Sequence, residues 1–384
     1  MMTHQYKKTK LAAAILAASI AAPASAVTWQ AGDWEASYTG TINLFWNQIN
    51  NNVAGGQDSG HMNQGLLPAF HTMKVVSPAT NGLTGTAQIS FAPDSSRAKT
   101  DNQAKAGGQI DMREVFFNVA GSFGTVSLGT TLSLFQRQAI LNDMTLFGVG
   151  AWSGTEGGGT TLGRIAHGYV YPEFNSRMTW KSPDMSGFGI EVGIFDPDEN
   201  TAAGFETDTP QFQVEAQYST AFDGGNLMVW AGGLHQEMER TAGGDVTSIG
   251  VNFGAKVSAG GLSLVGSFFT GEAIGTVRTL TSFNDGAGTQ NAFICTGTSC
   301  TEADNDGYYI QAMYNLNGAT NLGISYGESN QDADAAGNGA DSNELTTIGV
   351  YHDVNSWLKV VGEYNIQNGH QSQDHLSLGG FIFW

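Results

Sequence analysis

WEASYTGTINLFW, the segment Trp34–Trp46, alternates apolar and polar side chains from one end to the other. Successive side chains of a β-strand point to opposite faces, so this pattern predicts a strand with one apolar and one polar face. The apolar face consists of Trp34, Ala36, Tyr38, Gly40, Ile42, Leu44 and Trp46. Aromatic residues at both ends of an apolar face are typical of membrane-spanning strands, where they lie at the two lipid–water interfaces.

Similar alternation recurs in about sixteen segments, a strand number within the range of outer-membrane barrels. These segments begin near residues 34, 65, 84, 110, 125, 174, 188, 210, 226, 246, 262, 306, 321, 343, 356 and 374. The segments near 226 and 262 alternate least regularly. Short turns and longer connections follow one another in strict alternation, as in an up-and-down barrel. We therefore predict an all-β fold, a transmembrane antiparallel up-and-down β-barrel of about 16 strands.

A soluble β-sandwich and a β-solenoid are the alternative folds. A sandwich also alternates, but its apolar faces pack a core, and Tyr or Trp would not mark both ends of such a face. A solenoid has a fixed repeat of about 20–50 residues, and the sequence shows no such period. Both alternatives explain the pattern less well than a membrane barrel does.

Residues 1–26 have the organisation of a secretory signal peptide. Lys7, Lys8 and Lys10 precede the apolar run Leu11–Ala22, and Ala24-Ser25-Ala26 supplies a small-x-small cleavage site. The apolar run is shorter than the roughly 20 residues that a transmembrane helix needs. We expect cleavage after Ala26 and a mature barrel domain of residues 27–384.

The composition is that of an acidic exported protein with few charged side chains. Loss of the three leader lysines leaves 13 basic and 35 acidic residues, a formal charge of −22. Nucleic-acid-binding proteins carry basic patches, so we exclude nucleic acid as a partner. Charged residues make up only 13% of the chain, against about 25% in soluble domains. This composition fits strands that are half apolar and a lumen of small polar residues.

The two cysteines, Cys295 and Cys300, lie in the segment ICTGTSC. Exported proteins commonly form disulfides, so we predict a small disulfide-closed loop; two free thiols are the alternative. No pair of histidines lies near the cysteines, which argues against a zinc site. The eight histidines have no metal-ligating spacing, and we predict neither a metal nor another cofactor.

The alternation stops between Leu134 and Glu173, in LFQRQAILNDMTLFGVGAWSGTEGGGTTLGRIAHGYVYPE. Connections between regular elements usually have about 4–6 residues, whereas this one has about forty. Long connections without regular structure are usually functional when they occur in a compact protein. We therefore predict that residues 134–173 fold into the barrel lumen and narrow it.

Four segments carry a family resemblance: Arg113–Phe116, Gly121–Thr131, Phe174–Phe195 and His375–Trp384. They resemble segments of the general bacterial porins, the trimeric sixteen-stranded diffusion channels of the Gram-negative outer membrane. The most specific is Phe174–Phe195, which is similar to a hairpin of that family. The resemblance extends over the whole mature chain. It implies a homotrimeric, multi-pass outer-membrane protein through which small hydrophilic solutes and ions diffuse passively.

The resemblance also implies a constriction in which basic residues on the barrel wall face acids on the inward loop. Charged groups and pore radius set the selectivity of such a site. Alternation places Lys74, Arg113, Arg177 and Lys181 towards the lumen, and with Arg137 of the loop they form the expected basic side. The expected acids are Asp143, Glu156 and Glu173, and Arg164 is a further loop cation. The alternative for each residue is an ordinary solvated charge.

Thr130 follows the pair Leu128-Gly129. Members of the family often carry Arg at this position, so the sequence departs from the family here. The basic side is therefore thinner, and together with the charge of −22 this predicts a weak preference for cations. A substrate-specific channel is the alternative, and a track of aromatic side chains along the lumen would indicate it. Phe45 and Phe117 are the lumen-facing candidates for such a track.

Trp384, the last residue, is expected to act in assembly. The resemblance implies that the barrel-assembly machinery reads a terminal aromatic residue, although most of the family ends in Phe. A simple interfacial anchor is the alternative. Acid is clustered in stretches such as Glu302–Asp306 and Asp332–Asp341, which suggests binding of divalent cations. Asp304–Gly307 lacks the later Glu of a calcium loop, and a solvated loop or one that bridges to lipopolysaccharide is expected there, in addition to the outer-membrane lipids around the barrel.

An enzyme and a loop-displaying receptor or adhesin are the other function classes. The sequence has no His-Glu-x-x-His, Gly-x-Ser-x-Gly or phosphate-binding motif, so no enzyme is predicted. Receptors and adhesins usually have a plug domain or much longer exposed loops. The sequence suggests neither.

Overall fold

The computed structural model describes residues 26–95, 110–152, 159–198, 205–241, 243–277, 293–332, 341–369 and 372–384. The predicted signal peptide up to residue 25 and the predicted loop acid Glu156 lie outside these residues. Within them, no helix is both long and apolar enough to cross a membrane.

The described chain is mainly β-strand. In order, the strands are β1 Val27–Ala31, β2 Trp34–Asn51, β3 Ser59–Asn63, β4 Phe70–Val76, β5 Thr84–Pro93, β6 Ile110–Gly121, β7 Gly124–Leu132, β8 Phe174–Lys181, β9 Phe188–Phe195, β10 Phe205–Glu206, β11 Gln211–Phe222, β12 Gly225–Arg240, β13 Asp245–Ala259, β14 Leu262–Glu272, β15 Phe293–Thr296, β16 Ser299–Glu302, β17 Asp304–Asn315, β18 Thr320–Gln331, β19 Asp341–Asp353, β20 Leu358–Asn368 and β21 Gln373–Phe383. The helices are α1 Arg137–Asn142, a 3-10 helix Met144–Phe147 and α2 Ile274–Val277.

Sixteen of these strands form a closed antiparallel barrel, which confirms the predicted fold. The wall consists of β2, β4–β9, β11–β14 and β17–β21, each paired with its neighbour along the chain. β21 pairs with β2 from Thr41↔Phe383 to Asn51↔Gln373 and closes the cylinder. Closure gives each of the sixteen described wall strands a partner on both sides, as a barrel in lipid requires.

Alternation along β2 matches the two faces predicted for it. Ile42, Leu44 and Trp46 are exposed on the outside, whereas Asn43 and Phe45 are buried on the inside. The less regular strands β12 and β14 have apolar side chains on both faces. Their buried inward residues are Trp230, Leu234 and Met238 on β12, and Val265 and Phe269 on β14.

The second wall strand is interrupted and does not start near residue 65 as predicted. β3 and β4 both pair with β2, but Gly65–Ala69 between them is not a strand. Pro68 lacks the N–H that a ladder position needs. Asn43 binds the displaced segment through two hydrogen bonds: its Nδ2 donates to the Leu67 carbonyl at 2.8 Å, and its Oδ1 accepts from the Gly65 N–H at 2.8 Å.

A β-bulge in β6 changes the face on which later residues lie. Ser90 pairs with Glu114 and Phe91 with Met112, which leaves Arg113 as the extra residue. Alternation shifts by one residue at a bulge. Phe117 is consequently exposed on the outside, so its predicted lumen position is wrong.

The two described ends of the chain meet on the same edge of β2. Trp384 exchanges backbone hydrogen bonds with Gly40, at 3.0 and 3.1 Å. β1 continues this line, with Val27 opposite Tyr38 and Ala31 opposite Trp34. The Trp384 ring occupies the space beside Gly40 where a larger residue would have its side chain.

Candidate functional site

The segment between β7 and β8 lies inside the barrel, and residues 134–152 and 159–173 of it are described. Its apolar side chains pack on lumen-facing residues in three places. Phe135, Ala166 and Val170 contact the wall at Leu234, Met238, Val246 and Phe269. Ala139, Ile140, Leu146, Ile165 and Tyr169 pack with Leu66, Trp230, Val265 and Tyr309. Met144 and Val149 pack with Phe45, Tyr351, Val361, Phe381 and Phe383. The segment, which we call the inner loop, therefore reaches from β12–β14 across to β20, β21 and β2.

Polar wall side chains hold the backbone of the inner loop. Gln213 Oε1 accepts from the N–H groups of Leu134 and Phe135, at 2.9 and 2.8 Å. Glu363 Oε2 accepts from Val149 and Gly150, both at 2.9 Å. Irregular backbone at membrane depth is tolerated where such partners replace water. These contacts fix the position of the loop at both sides of the lumen.

Asp143 is enclosed within the inner loop and does not face the pore, contrary to the prediction. Its carboxylate accepts from the Thr145 hydroxyl at 2.6 Å and from the Tyr169 hydroxyl at 2.8 Å. Arg164 Nε lies 3.8 Å from Asp143 Oδ1, and both side chains have 0% exposure. Arg164 also donates to the Leu345 carbonyl and the Ser325 hydroxyl on the wall. The pair therefore attaches the loop to β18 and β19.

Arg137 on α1 binds acids of the wall. Its Nη2 lies 2.8 Å from Glu191 Oε2 and 2.6 Å from Glu215 Oε1. Burial alone would lower the pKa of Arg137, but the two carboxylates raise it above its ordinary value. Acids on β9 and β11 thus face a cation on the loop. The prediction placed basic residues on the wall and acids on the loop, so the arrangement of charges found around Arg137 is the reverse.

Arg177 and Lys181 lie on the lumen face of β8, beside the same acids. Arg177 Nη2 is 3.5 Å from Glu191 Oε1, and Nη1 donates to the Leu132 carbonyl at 2.8 Å. Its side chain is 7% exposed. Lys181 pairs in register with Glu191 and is only partly buried. Glu191 therefore offsets much of the positive charge of this strand.

Arg113 and Lys74 form no ion pair with Glu191 or Glu215 in the described chain. Arg113 donates from Nη1 to the Tyr171 hydroxyl at 3.1 Å and from Nε to Asp111 at 2.7 Å. Lys74 lies between Ser37 and Gln88 in the ladder and is partly exposed. Among the described residues, Lys74 has no ion-pair partner within 4.0 Å. Of the predicted basic residues, the structure brings Arg177, Lys181 and Arg137 together and leaves these two separate.

Three wall acids at the site were not among the predicted site residues. Glu191 and Glu215 lie on the lumen face, in keeping with the alternation along β9 and β11, and bind Arg137. Glu114 accepts from Gln88, Ser90 and Thr131 at 2.7–2.8 Å. Its position beside Arg113 was visible in the sequence, yet only the bulge turns its side chain inward. The predicted acid Glu173 ends the inner loop with a positive φ of 63° and accepts from the Ser133 N–H through its carbonyl.

Two buried histidines lie at the inner loop: His167 belongs to it, and His375 of β21 contacts it. His167 Nδ1 is 2.9 Å from the Ile165 carbonyl, and Nε2 has no hydrogen-bond partner within the described residues. Burial lowers the pKa of His167 to about 4. His375 Nε2 lies 2.7 Å from the Gly150 carbonyl. In the part of the chain that the structure describes, no three His, Cys, Asp or Glu side chains are grouped as a metal site.

The remaining predicted residues lie at the two rims. Cys295 and Cys300 are joined by a disulfide across the short hairpin β15–β16. Trp384 packs near Tyr38 and His71, with ring centroids 5.7 and 5.1 Å away. The His71 ring in turn stacks on Phe91 at 5.1 Å. This outward aromatic cluster surrounds the closure between β21 and β2.

Comparisons with known proteins agree with this architecture. A family model described as Gram-negative porin matches residues 12–370. No curated protein matches the sequence. Similar solved structures include the outer membrane channel DcaP of Acinetobacter baumannii, with a TM-score of 0.69 and 11% identity over 93% of this chain and 99% of that chain.

Two further structures have the same fold. The anion-selective porin from Comamonas acidovorans has a TM-score of 0.66 and 14% identity, over 91% of this chain and 100% of that chain. Salmonella typhi OmpF in complex with daunomycin has a TM-score of 0.63 and 13% identity, over 93% of this chain and 100% of that chain. At such identities the likeness shows the fold alone.

Proposed function

Because this chain belongs to the Gram-negative porin family of outer-membrane, multi-pass β-barrel channels, we propose that it forms a water-filled path for passive diffusion of small hydrophilic solutes and ions. The inner loop, residues 134–173, is the proposed constriction. The observation that carries the proposal is its packing against the wall from β12 to β21 and β2. The loop touches the opposite side of the barrel at fewer places, among them Tyr171 at Arg113 and Gly159 at Asp94, so we propose that β4–β7 border most of the path.

The wall of β4–β7 is polar where it faces the lumen. Thr72 and Ser90 share a hydrogen bond of 2.9 Å, and Gln88 donates to Glu114 at 2.8 Å. Within the described chain, the side chains of these residues form their hydrogen bonds with other wall residues. Polar side chains that do not bind the loop suit contact with water and hydrophilic solutes.

We keep a weak cation preference as part of the proposal. Arg137 and Arg177 are offset by Glu191 and Glu215, which removes two cations from the field across the pore. Lys74, Arg113 and Lys181 remain as the proposed basic side, and the proposed loop acids are Glu173 and, from the sequence alone, Glu156. The mature charge of −22 adds a negative potential around the channel.

An anion preference is the second candidate for selectivity, because Lys74 and Lys181 are partly exposed on the lumen face. A substrate-specific channel has less support. The inward aromatic residues Phe45, Phe381 and Phe383 are at most 5% exposed beneath the inner loop, so they do not form an accessible track. The receptor, adhesin and enzyme alternatives gain no support from any feature described above.

The family also motivates proposals about assembly and targeting. We propose a homotrimer, a cleaved signal peptide of residues 1–26, and recognition of Trp384 by the barrel-assembly machinery. Lipopolysaccharide is the proposed partner of the acidic outer loops, through divalent cations that bridge the two sets of negative charges. Chemical crosslinking of the protein in outer-membrane vesicles, followed by mass measurement, tests the trimer; a product confined to the monomer would contradict it.

Planar-bilayer recording of the purified, folded protein tests the function. We expect stepwise ohmic conductance, in groups of three steps for a trimer, and a reversal potential of the cation-selective sign in a KCl gradient. Folded protein without any conductance would refute the channel. A reversal potential of the opposite sign would replace the cation preference with the anion preference and leave the channel intact.

A further inference from the structure

The hairpin β15–β16, residues 293–302, is bound to the neighbouring rim by three contacts. Arg240 Nη1 donates to the Gly297 carbonyl at 3.1 Å, and the Thr247 N–H donates to Glu302 Oε1 at 3.2 Å. Gly244, with φ of +99°, permits a close approach, since a Cβ there would lie 2.8 Å from the Thr298 carbonyl oxygen. The hairpin is therefore docked on the rim of β12–β13.

The underside of the hairpin faces the lumen. Phe293, Cys295 and Cys300 pack on the apolar cluster formed by the inward side chains of β12–β14 and the inner loop. Leu234, Met238 and Phe269 of that cluster point into the barrel and are at most 3% exposed. A hairpin resting on inward residues covers part of the barrel opening.

The same apolar cluster contains both ends of the inner loop. Phe135 lies at its start, and Ala166 and Val170 lie close to its end, all at 0% exposure. The disulfided hairpin, the wall and the two loop ends thus share one packed core. Packed cores transmit displacement because they contain little free space.

We propose that the disulfide-closed hairpin 293–302 is a second, outer element of the permeability filter, which holds both ends of the inner loop against the wall. This inference rests on the proposed channel function. The Cys295–Cys300 bond keeps the hairpin compact, so that Phe293 and both sulfur atoms remain on the cluster. Opening the bond removes a covalent restraint and lets the hairpin and the loop ends separate.

Single-channel recording of the full-length protein tests the inference. The variant Cys295→Ser/Cys300→Ser should conduct roughly 1.5-fold more than the parent and should admit larger neutral sugars, because conductance and cut-off follow pore radius. Arg240→Gln, which removes the Gly297 contact and keeps the disulfide, should change conductance in the same direction by a smaller factor.

Reduction of the folded parent gives the same test without a substitution. Dithiothreitol transfers two electrons and two protons to the disulfide, giving two cysteine thiols, while its own sulfurs join in a cyclic disulfide. Conductance should rise to the level of the double variant, and dithiothreitol should not alter that variant. Thiol labelling confirms the reduction.

The outcomes separate this inference from the channel function. Conducting channels whose conductance and sugar cut-off stay unchanged after verified reduction would overturn the role of the hairpin and leave the channel proposal standing. Absence of conductance in the parent would overturn both. Should the double variant not fold, as judged by loss of heat-modifiable migration in gels, reduction of the parent still decides the question.

Discussion

Arg137 Nη2 of the inner loop lies 2.6 Å from Glu215 Oε1 of the barrel wall. The loop supplies the cation here and the wall supplies the acid, so this charge pair attaches the loop instead of facing its counterpart across water. Buried charges need a partner because the unpaired ion is costly in a medium of low polarity. The position of the inner loop consequently depends on Glu215.

Glu215→Gln is expected to loosen the start of the inner loop. Arg137 loses the closer carboxylate but keeps Glu191, so we expect a cost below the roughly 3–5 kcal/mol of a buried charge left without any partner. We expect a lower thermal transition and more current fluctuation in bilayer recordings. Glu237→Gln, an exposed rim acid, is the matched control. Equal current noise in the parent and in Glu215→Gln would contradict an attachment through this pair.

Asp143→Asn is expected to reduce stability without changing ion selectivity. The Asp143 side chain is 0% exposed and accepts from Thr145 and Tyr169, so its charge acts within the loop. Loss of the charge leaves the buried Arg164 without its carboxylate. Reversal potentials in a KCl gradient should match the parent, while thermal unfolding occurs at a lower temperature. A clear shift in reversal potential with unchanged stability would place Asp143 functionally in the pore.

Lys181→Gln is expected to change ion selectivity and to leave thermal stability nearly unchanged, the opposite of Asp143→Asn. Lys181 is partly exposed on the lumen face of β8, and its removal leaves Glu191 less compensated. The reversal potential should move towards cations, with little change in thermal stability. Lys74→Gln is a parallel test on the other side of the path. An unchanged reversal potential in both variants would show that these lysines do not set selectivity.

His167 should make stability depend on pH. Its pKa in the folded protein is about 4, below the ordinary value of 6.5, and burial is the main cause. The unfolded chain therefore binds more protons between these values, so stability falls as pH decreases from 6.5 to about 4, by about 3 kcal/mol in total. His167→Gln should show a smaller decrease between pH 7.5 and 4.5 in thermal unfolding experiments.

The exposed His235 provides the control for that experiment, because His235→Gln should keep the pH dependence of the parent. His375 and Arg164 remain in both variants and contribute equally to the comparison. An identical pH dependence in His167→Gln and the parent would rule out His167 as the source.

Trp384→Ala should lower the yield of folded barrel, whereas Trp384→Phe should largely preserve it. The ring packs on Tyr38 and His71 and covers Gly40, and aromatic contacts of this kind contribute about 1–2 kcal/mol in sum. The yield of folded protein after refolding into detergent reports the contribution of this packing alone. The yield of folded barrel in cells depends on the packing and also on recognition of the terminal residue. A loss confined to cells would assign Trp384 to recognition alone, and equal yields for Ala and Phe in both settings would refute both roles.

The strands of the barrel could be predicted because every second side chain of a membrane strand faces lipid and has to be apolar. Alternation located the wall strands, including the seam beside Trp384, to within a few residues, except for the interrupted second strand. The pattern was weakest where the lumen face is also apolar, at Leu234 and Phe269, since those residues pack on the inner loop, although both strands begin where predicted. The same cause produces the irregular pattern of β12 and β14.

The contents of the site were less predictable, because they depend on single-residue irregularities and on contacts between distant segments. One bulge at Arg113 turns Glu114 inward and Phe117 outward. The sequence of the inner loop shows no regular alternation of apolar and polar residues. Nothing in it therefore indicated that Asp143 would be enclosed by Tyr169 and Arg164. The opposition of Arg137 and Glu215 arises from residues 78 positions apart, and no local pattern reports such a pair.

The line formed by β21, Trp384 and β1 along one edge of β2 has a topological consequence. Val27 opposite Tyr38 and Trp384 beside Gly40 are separated by about one ladder position, a distance that a linker of a few residues spans. Val27 and Trp384 thus lie almost end to end along this edge. A circular permutant that joins the two ends and opens the chain at the turn Asp223–Gly224 would retain every strand pairing.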